Sequence, residues 1–329
     1  MDMVRLAVVG ATGMVGRAFL RVLAERDLPM KQLYLFASSR SAGQRIDFQG
    51  QEYTIEELRE DSFDRGVDIA LFSAGGETSM QYAPIAAAKG CVVVDNSSAW
   101  RMHADVPLVV PEVNPEDILK HNGIIANPNC STIQAVVALW PLHRRYRIKR
   151  IIYATYQAVA GAGMGGWRDL EEGLQGKPPK KFPHPIAGNC LPQIDVFLDN
   201  GYTKEEEKMI QETQKIMHAP DMKVTATCVR VPVFIGHSEA INVEFEEPYD
   251  MRDVIDILEN APGVRLRNDH ANAVYPMPVE AADTDEVYVG RLRRDSTVES
   301  GLHLWVVADN VRKGAATNAV QIAQLLCKK

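Results

Sequence analysis

Residues 8–16 read VVGATGMVG. They close an apolar run that starts at Arg5, RLAVVG, and open TGMVGRAFLRVLAERD, whose apolar residues recur at helical spacing. Gly10, Gly13 and Gly16 stand three apart, GxxGxxG rather than the commoner GxGxxG. A glycine-tight turn between a strand and a helix lets backbone N–H groups and the positive helix end approach a pyrophosphate. A lone glycine motif is a weak signal, and a structural tight turn would look alike. A strand before it and a helix after it are the context a dinucleotide site needs.

Outward from this turn the pattern repeats. LYLFA and DIALFSA predict further strands, and SMQYAPIAAAKG a helix with Gly90 as its stop, followed by CVVVDN. Continuous apolar strands between helices predict a parallel sheet covered on both faces. The second strand ends LFASSRSAG. NAD-selective sites usually place an acid there, about twenty residues on, for the ribose hydroxyls. Here Ser38, Ser39, Arg40 and Ser41 stand instead, and hydroxyls with a guanidinium suit a 2′-phosphate. The expected cofactor is therefore NADP, although a polar turn with an incidental Arg40 has the same spelling.

From about residue 150 the texture changes. RIIYATYQAV, KVTATCVRVPV and EAINVEFEE alternate with period two, which predicts a mostly antiparallel sheet with one exposed face. AGAGMGG and GKPPKKFPHPIAGNCLP read as loops among these strands, and KGAATNAVQIAQLLCKK as a closing amphipathic helix. The fold class expected is α/β: a Rossmann-type domain over 1–129, a mixed α/β catalytic domain over 130–310, and a helix over 311–329 that returns to the first.

The 329 residues carry 36 basic and 43 acidic side chains, a net charge of −7. Such a chain has no bulk attraction for nucleic acid or anionic lipid. HRRYRIKR, residues 143–150, is a short basic cluster without repeated aromatic interleaving and reads as a solvated face. No apolar run reaches membrane-spanning length, and the chain enters its first strand without a signal peptide. Five cysteines, odd in number, widely spaced and lacking a CxxC pair, argue for a reducing cytoplasm. The eight histidines show no ligand spacing, so no metal is expected.

ANPNCSTIQ, residues 126–134, sets Cys130 between an Asn-Pro-Asn turn and an apolar helix. Unpaired N–H groups and the dipole at a helix N-terminus favour a thiolate. A buried packing cysteine is the plain alternative. Beside a nicotinamide cofactor, a poised cysteine suggests aldehyde chemistry, because a thiolate adds to a carbonyl and the adduct can donate hydride. His237, after Gly236 between two strands, is the histidine best placed as its base.

GATGMVG, SSRSAG, DNSSAWRM, VVPEVN, NPNCSTIQ, YQAVAGAG, ETQKIM and VRVPVFIGHSEAINVEF resemble, in order and spacing, the aspartate-semialdehyde dehydrogenases, in their shorter bacterial form. The resemblance covers essentially the whole chain. It implies a glyceraldehyde-3-phosphate dehydrogenase-like fold and an NADP-dependent, reversible reductive dephosphorylation of β-aspartyl phosphate to aspartate β-semialdehyde, on the route to lysine, threonine, methionine and diaminopimelate. It further implies a cytoplasmic homodimer or homotetramer built through the second domain.

Roles follow residue by residue. Cys130 would form the thioacyl intermediate, His237 would be acid and base, Gln157 would orient the substrate, and Asn129 would fix the cysteine loop. Arg230 would grip the α-carboxylate, Glu212 the amino group, and Arg101 and Lys215 the phosphate. Gly10, Thr12, Gly13, Met14, Val15, Gly16, Ser38, Arg40, Ser41, Gly75, Ala160, Gly161 and Asn310 would line the cofactor. The family usually reads Ser-Gly where this chain has Ala160-Gly161, so a hydroxyl contact is missing. The helix KEEEKMIQETQKIM, opened by Thr203 and Glu206 as a capping box, puts Glu212 and Lys215 on one face, though a solvated ion pair would share that spacing. Arg230 shares a strand face with Cys228, a setting in which an arginine usually has a partner anion. N-acetyl-glutamyl-phosphate reductase is the nearest rival. A thiol hydrolase would leave the glycine turn without purpose, and a non-catalytic NADP sensor would need neither base nor phosphate-binding arginine.

Overall fold

The computed structural model describes residues 3–327. The chain forms two compact units, one running to Asn129 and resuming at Ala315, the other spanning Cys130–Gly314.

In the first unit the strands are β1 (Val4–Val9), β2 (Met30–Ala37), β3 (Arg45–Phe48), β4 (Gln51–Thr54), β5 (Glu56–Glu57), β6 (Ile69–Phe72), β7 (Val92–Asp95) and β8 (Ile124–Ala126). Six of them form one parallel sheet in the order β5-β2-β1-β6-β7-β8, and β3 with β4 makes a separate hairpin. Helices α1 (Met14–Glu25) and α2 (Gly76–Ala88) follow β1 and β6. Leu6, Ala7, Val8 and Val9 are wholly buried, as the continuous apolar reading of β1 requires. The order reverses beside β1, and the loops after β1, β2 and β6 all lie at the carboxyl edge, where open α/β sheets bind ligands.

The glycine turn is locked by space. Gly10 has φ +86, and a Cβ there would lie 2.3 Å from the Ser73 carbonyl oxygen. A Cβ on Gly16 would lie 2.1 Å from the Gly10 carbonyl oxygen, so helix and turn approach as closely as two backbones can. Gly90, the expected stop signal, has φ +82 just after α2.

The second unit contains α3 (Cys130–Tyr146), β9 (Ile148–Gln157), α4 (Gly163–Gly173), α5 (Lys204–Ile216), β10 (Lys223–Arg230), β11 (His237–Phe245), α6 (Met251–Glu259), β12 (Val264–Leu266), α7 (Pro278–Ala281), β13 (Val287–Asp295) and β14 (Gly301–Ala308). Its sheet runs β10-β9-β11-β14-β13-β12. The central pairs are antiparallel, as the alternation predicts, but β10 lies parallel to β9 and β12 parallel to β13. Period-two patterning reports which face is buried, not strand direction; the parallel edge at β9 arises because α4 and α5 carry the chain back before β10 begins.

Register sets up the site. Arg230 pairs with Gln157 across β10 and β9, and Ser238 pairs with Tyr156 across β11 and β9, which brings His237 level with Gln157. Three side chains therefore stand in a row at one end of three neighbouring strands.

The closing helix differs from expectation. Residues Arg312–Thr317 form a wide π-helical stretch, and only then does α8 (Asn318–Cys327) begin, as part of the first unit. Asn318, Ala319, Val320, Ile322, Ala323 and Cys327 of α8 are buried, so the segment is more a core helix than an amphipathic surface one. Residues 328 and 329 of the predicted helix lie outside the described residues.

Candidate active site

Cys130 is the first residue of α3, so its sulfur sits at the positive end of a seventeen-residue helix. Its Sγ is 3.2 Å from His237 Nε2. The other ring nitrogen, Nδ1, accepts the Ala158 backbone N–H at 3.0 Å. A neutral imidazole that accepts at Nδ1 carries its proton on Nε2. The ring therefore donates to the sulfur, which is the arrangement that stabilises a thiolate. The His237 carbonyl accepts from Gln134 Nε2 at 3.2 Å, and the Gly236 N–H donates to Asn310 Oδ1 at 3.0 Å, so the histidine is held on both sides.

His237 is fully buried. Burial, reinforced by the Arg230 charge, pushes its pKa down to about 3. An imidazolium would also need a proton on Nδ1, where the Ala158 N–H already points. Burial and the Ala158 contact both favour the neutral ring with its proton on Nε2. Stability carries the signature. The native pKa lies below the unfolded value near 6.5, so below pH 6.5 the unfolded chain binds a proton that the native one refuses. This contribution is complete above pH 6.5 and is lost as pH falls toward 3. By pH 5 it costs about 2 kcal/mol. Denaturant unfolding at pH 7 and pH 5 should show a smaller acid loss in His237→Asn than in the wild type, and equal losses would disprove the burial argument.

Arg230 is buried and donates from Nη1 to the Ala158 carbonyl at 2.7 Å, with its guanidinium 6.0 Å over the Phe182 ring. Desolvation lowers its pKa, and the nearby Glu205 carboxylate works against that. Gln157 donates from Nε2 to Glu205 Oε1 at 3.1 Å, and its own oxygen accepts from Thr155 at 3.0 Å. Lys208 bridges Glu205 at 3.1 Å and Asp195 at 3.0 Å. Gly161 leaves room for this group: a Cβ there would sit 2.9 Å from Arg230 Nη1 and 3.3 Å from His237 Nε2. Ala160 is buried in the same short 3-10 turn, Val159–Ala162.

Helix α5 carries a second acidic and basic pair besides Glu212 and Lys215. The capping box is present, with Thr203 and Glu206 bonded reciprocally. Yet the carboxylate that faces Gln157, and that Arg230 and His237 feel, is Glu205 rather than Glu212, and the lysine paired with it is Lys208 rather than Lys215. Seven residues separate the two pairs, so Glu212 lies on the same face, about 10 Å farther along the helix. Glu212 is buried and next to Thr213, whose hydroxyl meets Tyr153.

The first unit holds the remaining candidates. Gly13 precedes α1 as its cap, and Met14 and Val15 begin that helix. Thr12 and Ser41 hydroxyls lie 3.4 Å apart, joining the glycine turn to the loop after β2. Ser38 and Arg40 in that loop are exposed, and Arg40 makes no ion pair among the described residues. Gly75, with φ +89, caps α2 at the same sheet edge. Exposed N–H groups, hydroxyls and one unengaged guanidinium fit a phosphorylated dinucleotide. Arg101 is buried, its Nε and Nη2 each donating at 3.0 Å to the carbonyls of Asn127 and Asn96. Asn129, just before the cysteine, is buried too. Asn310 holds Gly236, so its oxygen is already engaged. Among the described residues no group of three potential ligands is arranged for a metal.

Two family descriptions match this chain: Semialdehyde dehydrogenase, NAD binding domain, over residues 5–121, and Semialdehyde dehydrogenase, dimerisation domain, over residues 139–313. An aspartate-semialdehyde dehydrogenase of Aquifex aeolicus is 57% identical over 99% of this chain and 98% of its own length. The chain belongs to the aspartate-semialdehyde dehydrogenase family. It is an oxidoreductase with a nicotinamide-dinucleotide-binding domain. Among solved members of the family, an aspartate semialdehyde dehydrogenase II of Vibrio cholerae complexed with ASA is 51% identical, with a TM-score of 0.96 over 100% of this chain and 99% of its own. A Candida albicans member with NADP is 26% identical, with a TM-score of 0.79 over 99% of both chains.

Proposed function

We propose that this chain reversibly reduces β-aspartyl phosphate to aspartate β-semialdehyde, with NADP as the dinucleotide and Cys130 as the carrier of the acyl group. The observation that supports it most is the 3.2 Å contact of Cys130 Sγ with a buried, Nε2-protonated His237, beside Arg230 and Glu205. The thiolate attacks the acyl carbon; the C–S bond forms, the C–O bond to phosphate breaks, and phosphate leaves. His237 Nε2–H stabilises first the sulfur anion and then the oxyanion that develops on the carbonyl. NADPH, when bound, supplies the hydride that reduces the thioester. Breaking the C–S bond then frees the aldehyde and returns the thiolate to its histidine donor.

Arg230 is assigned the substrate α-carboxylate, which a planar fork matches with two bonds. Glu205 is assigned the ammonium group, Gln157 the orientation of the acyl group, and Lys208 and Arg101 the phosphate. Aspartate semialdehyde should reduce NADP only when inorganic phosphate is present. Reduction without phosphate, or preference for an N-acetylated glutamyl semialdehyde, would overturn the assignment. The two acidic positions can be told apart. Glu205→Gln removes the charge facing Gln157 and Arg230 and should lower kcat/KM by about a hundredfold. Glu212→Gln should change it less than threefold, and a reversed order would return the ammonium contact to Glu212.

NADP over NAD rests on Ser38, Arg40 and Ser41 in place of an acid. Arg40→Ala should weaken NADP binding by about one to two orders of magnitude and leave NAD binding nearly unchanged, because only NADP carries the 2′-phosphate. Fluorescence titration of both dinucleotides measures this, and equal losses would make Arg40 structural. The organisation we propose is a dinucleotide domain over 1–129 and a catalytic domain over 130–310 that also joins the chains of a homodimer or homotetramer. The setting we propose is the cytoplasm, consistent with five free thiols and, among the described residues, no helix long and apolar enough to cross a membrane.

A further inference from the structure

Six residues of the basic cluster HRRYRIKR, His143, Arg144, Arg147, Ile148, Lys149 and Arg150, line a cavity of about 990 Å³ in the second unit, where the end of α3 turns into β9 and faces the segment that joins α5 to β10. Lys149 and Arg150 share Glu244, at 2.9 and 3.9 Å. Arg144, Arg147 and Lys223 form no ion pair among the described residues, although Asp221 and Glu246 stand on the same wall. Five cations, Arg144, Arg147, Lys149, Arg150 and Lys223, thus face three carboxylates in one concavity of a chain of net charge −7, a local excess of positive charge.

A second observation concerns Arg147. It closes α3, its N–H bonded to the His143 carbonyl at 3.0 Å, with φ +58 in the left-handed region. Glycine or asparagine fills that cap position at lower conformational cost. The left-handed cap leaves the Arg147 guanidinium among the residues that line the cavity. Trp140 and His143 stack at 5.9 Å and 23° as an aromatic wall, and the His143 ring is fixed because its Nδ1 accepts the Ile148 N–H at 3.0 Å.

We propose that this cavity binds a small oligophosphate anion, either bare or carried by a nucleotide. Its volume lies at the upper end of ordinary small-molecule pockets, roughly 300–1,000 Å³. Multiple guanidinium groups are the donors that match phosphate oxygens, and the aromatic wall gives a base a stacking surface. The site involves none of the residues assigned to the thiol chemistry.

Isothermal titration of the full chain, saturated with NADP so that the dinucleotide turn is filled, tests this with inorganic tripolyphosphate and with ADP as probes. Arg147→Gly removes the guanidinium while suiting the positive φ, so the fold is spared. It should weaken tripolyphosphate by about tenfold or more, as should Arg144→Ala. Turnover of the semialdehyde by both variants should stay at the wild-type level. Tighter binding of ADP, lost in Trp140→Ala, would identify a nucleotide, whereas equal or weaker binding of ADP would identify the bare anion. Absence of binding by both probes, or binding unchanged in Arg144→Ala combined with Arg147→Gly, would overturn the proposal.

Discussion

Cys130→Ala is expected to lower kcat by about four orders of magnitude or more while leaving dinucleotide affinity within a factor of two. The size of the effect follows from covalency. Without sulfur no thioester forms, and the histidine cannot compensate, since its Nδ1 is committed to Ala158 and its pKa is pushed down to about 3. Affinity should persist because the glycine turn and the Ser38–Ser41 loop belong to a separate compact unit. Space also favours the test. A Cβ remains at position 130 in the alanine variant, so the tight packing there, where a Cβ on Gly314 would be 2.8 Å from Cys130 Cβ, is undisturbed. Intact mass after incubation with acyl phosphate should show an adduct on Cys130 in the wild type. Cys91 and Cys228 should not compete: both are buried, and burial pushes the Cys91 thiol up to about 12 and raises Cys228 as well. Exposed Cys190 serves as the reactivity control. Residual turnover near the wild-type rate in Cys130→Ala, or an acyl group found on Cys190 alone, would remove the nucleophile from this mechanism.

What could be read in advance was whatever local backbone chemistry dictates. Gly10 and Gly16 are glycine because a Cβ would strike the backbone, so the turn is visible in the sequence itself. The strand–helix alternation around it is visible because both faces of a parallel sheet are apolar. Cys130 at the start of α3 was legible from an Asn-Pro-Asn turn before an apolar run. What stays hidden has a different cause, because it depends on where elements meet. Glu205 and Lys208 repeat, one heptad earlier, the spacing of Glu212 and Lys215, and helix periodicity cannot separate positions that share a face. Only the fold shows that it is the first turn of α5 that meets Gln157. Likewise the contact of the Asn310 oxygen with the Gly236 N–H, some seventy residues earlier in the chain, has no local sequence signal. The parallel edges of the second sheet were hidden because alternation is blind to strand direction. The histidine's tautomer was hidden for a similar reason: it is set by the Ala158 N–H, which β9 delivers from a distant part of the chain.

Arg230→Lys is the second large effect, and it tests the substrate rather than the reaction. The arginine is buried, is anchored through Nη1 to the Ala158 carbonyl at 2.7 Å and stacks over Phe182. One side of its fork is thus spent on positioning, and the rest of the planar donor set remains for a carboxylate. Lysine keeps the charge but offers a point donor on a flexible stem, so it cannot hold both the carbonyl and two carboxylate oxygens. Losing one charge-assisted bond costs roughly 1.5–3 kcal/mol, which corresponds to about a ten- to hundredfold rise in KM for aspartate semialdehyde. The kcat should fall much less, because the α-carboxylate is held equally in the ground and transition states. Phosphate KM should stay within a factor of two, since phosphate binding is assigned to other side chains. The decisive comparison uses a substrate that lacks the α-carboxylate. With that analogue, wild type and Arg230→Lys should differ by less than threefold, because the contact under test is absent from both. If the lysine variant instead loses kcat equally with both substrates, Arg230 acts on the His237 side of the site through Ala158, and the α-carboxylate must be held elsewhere.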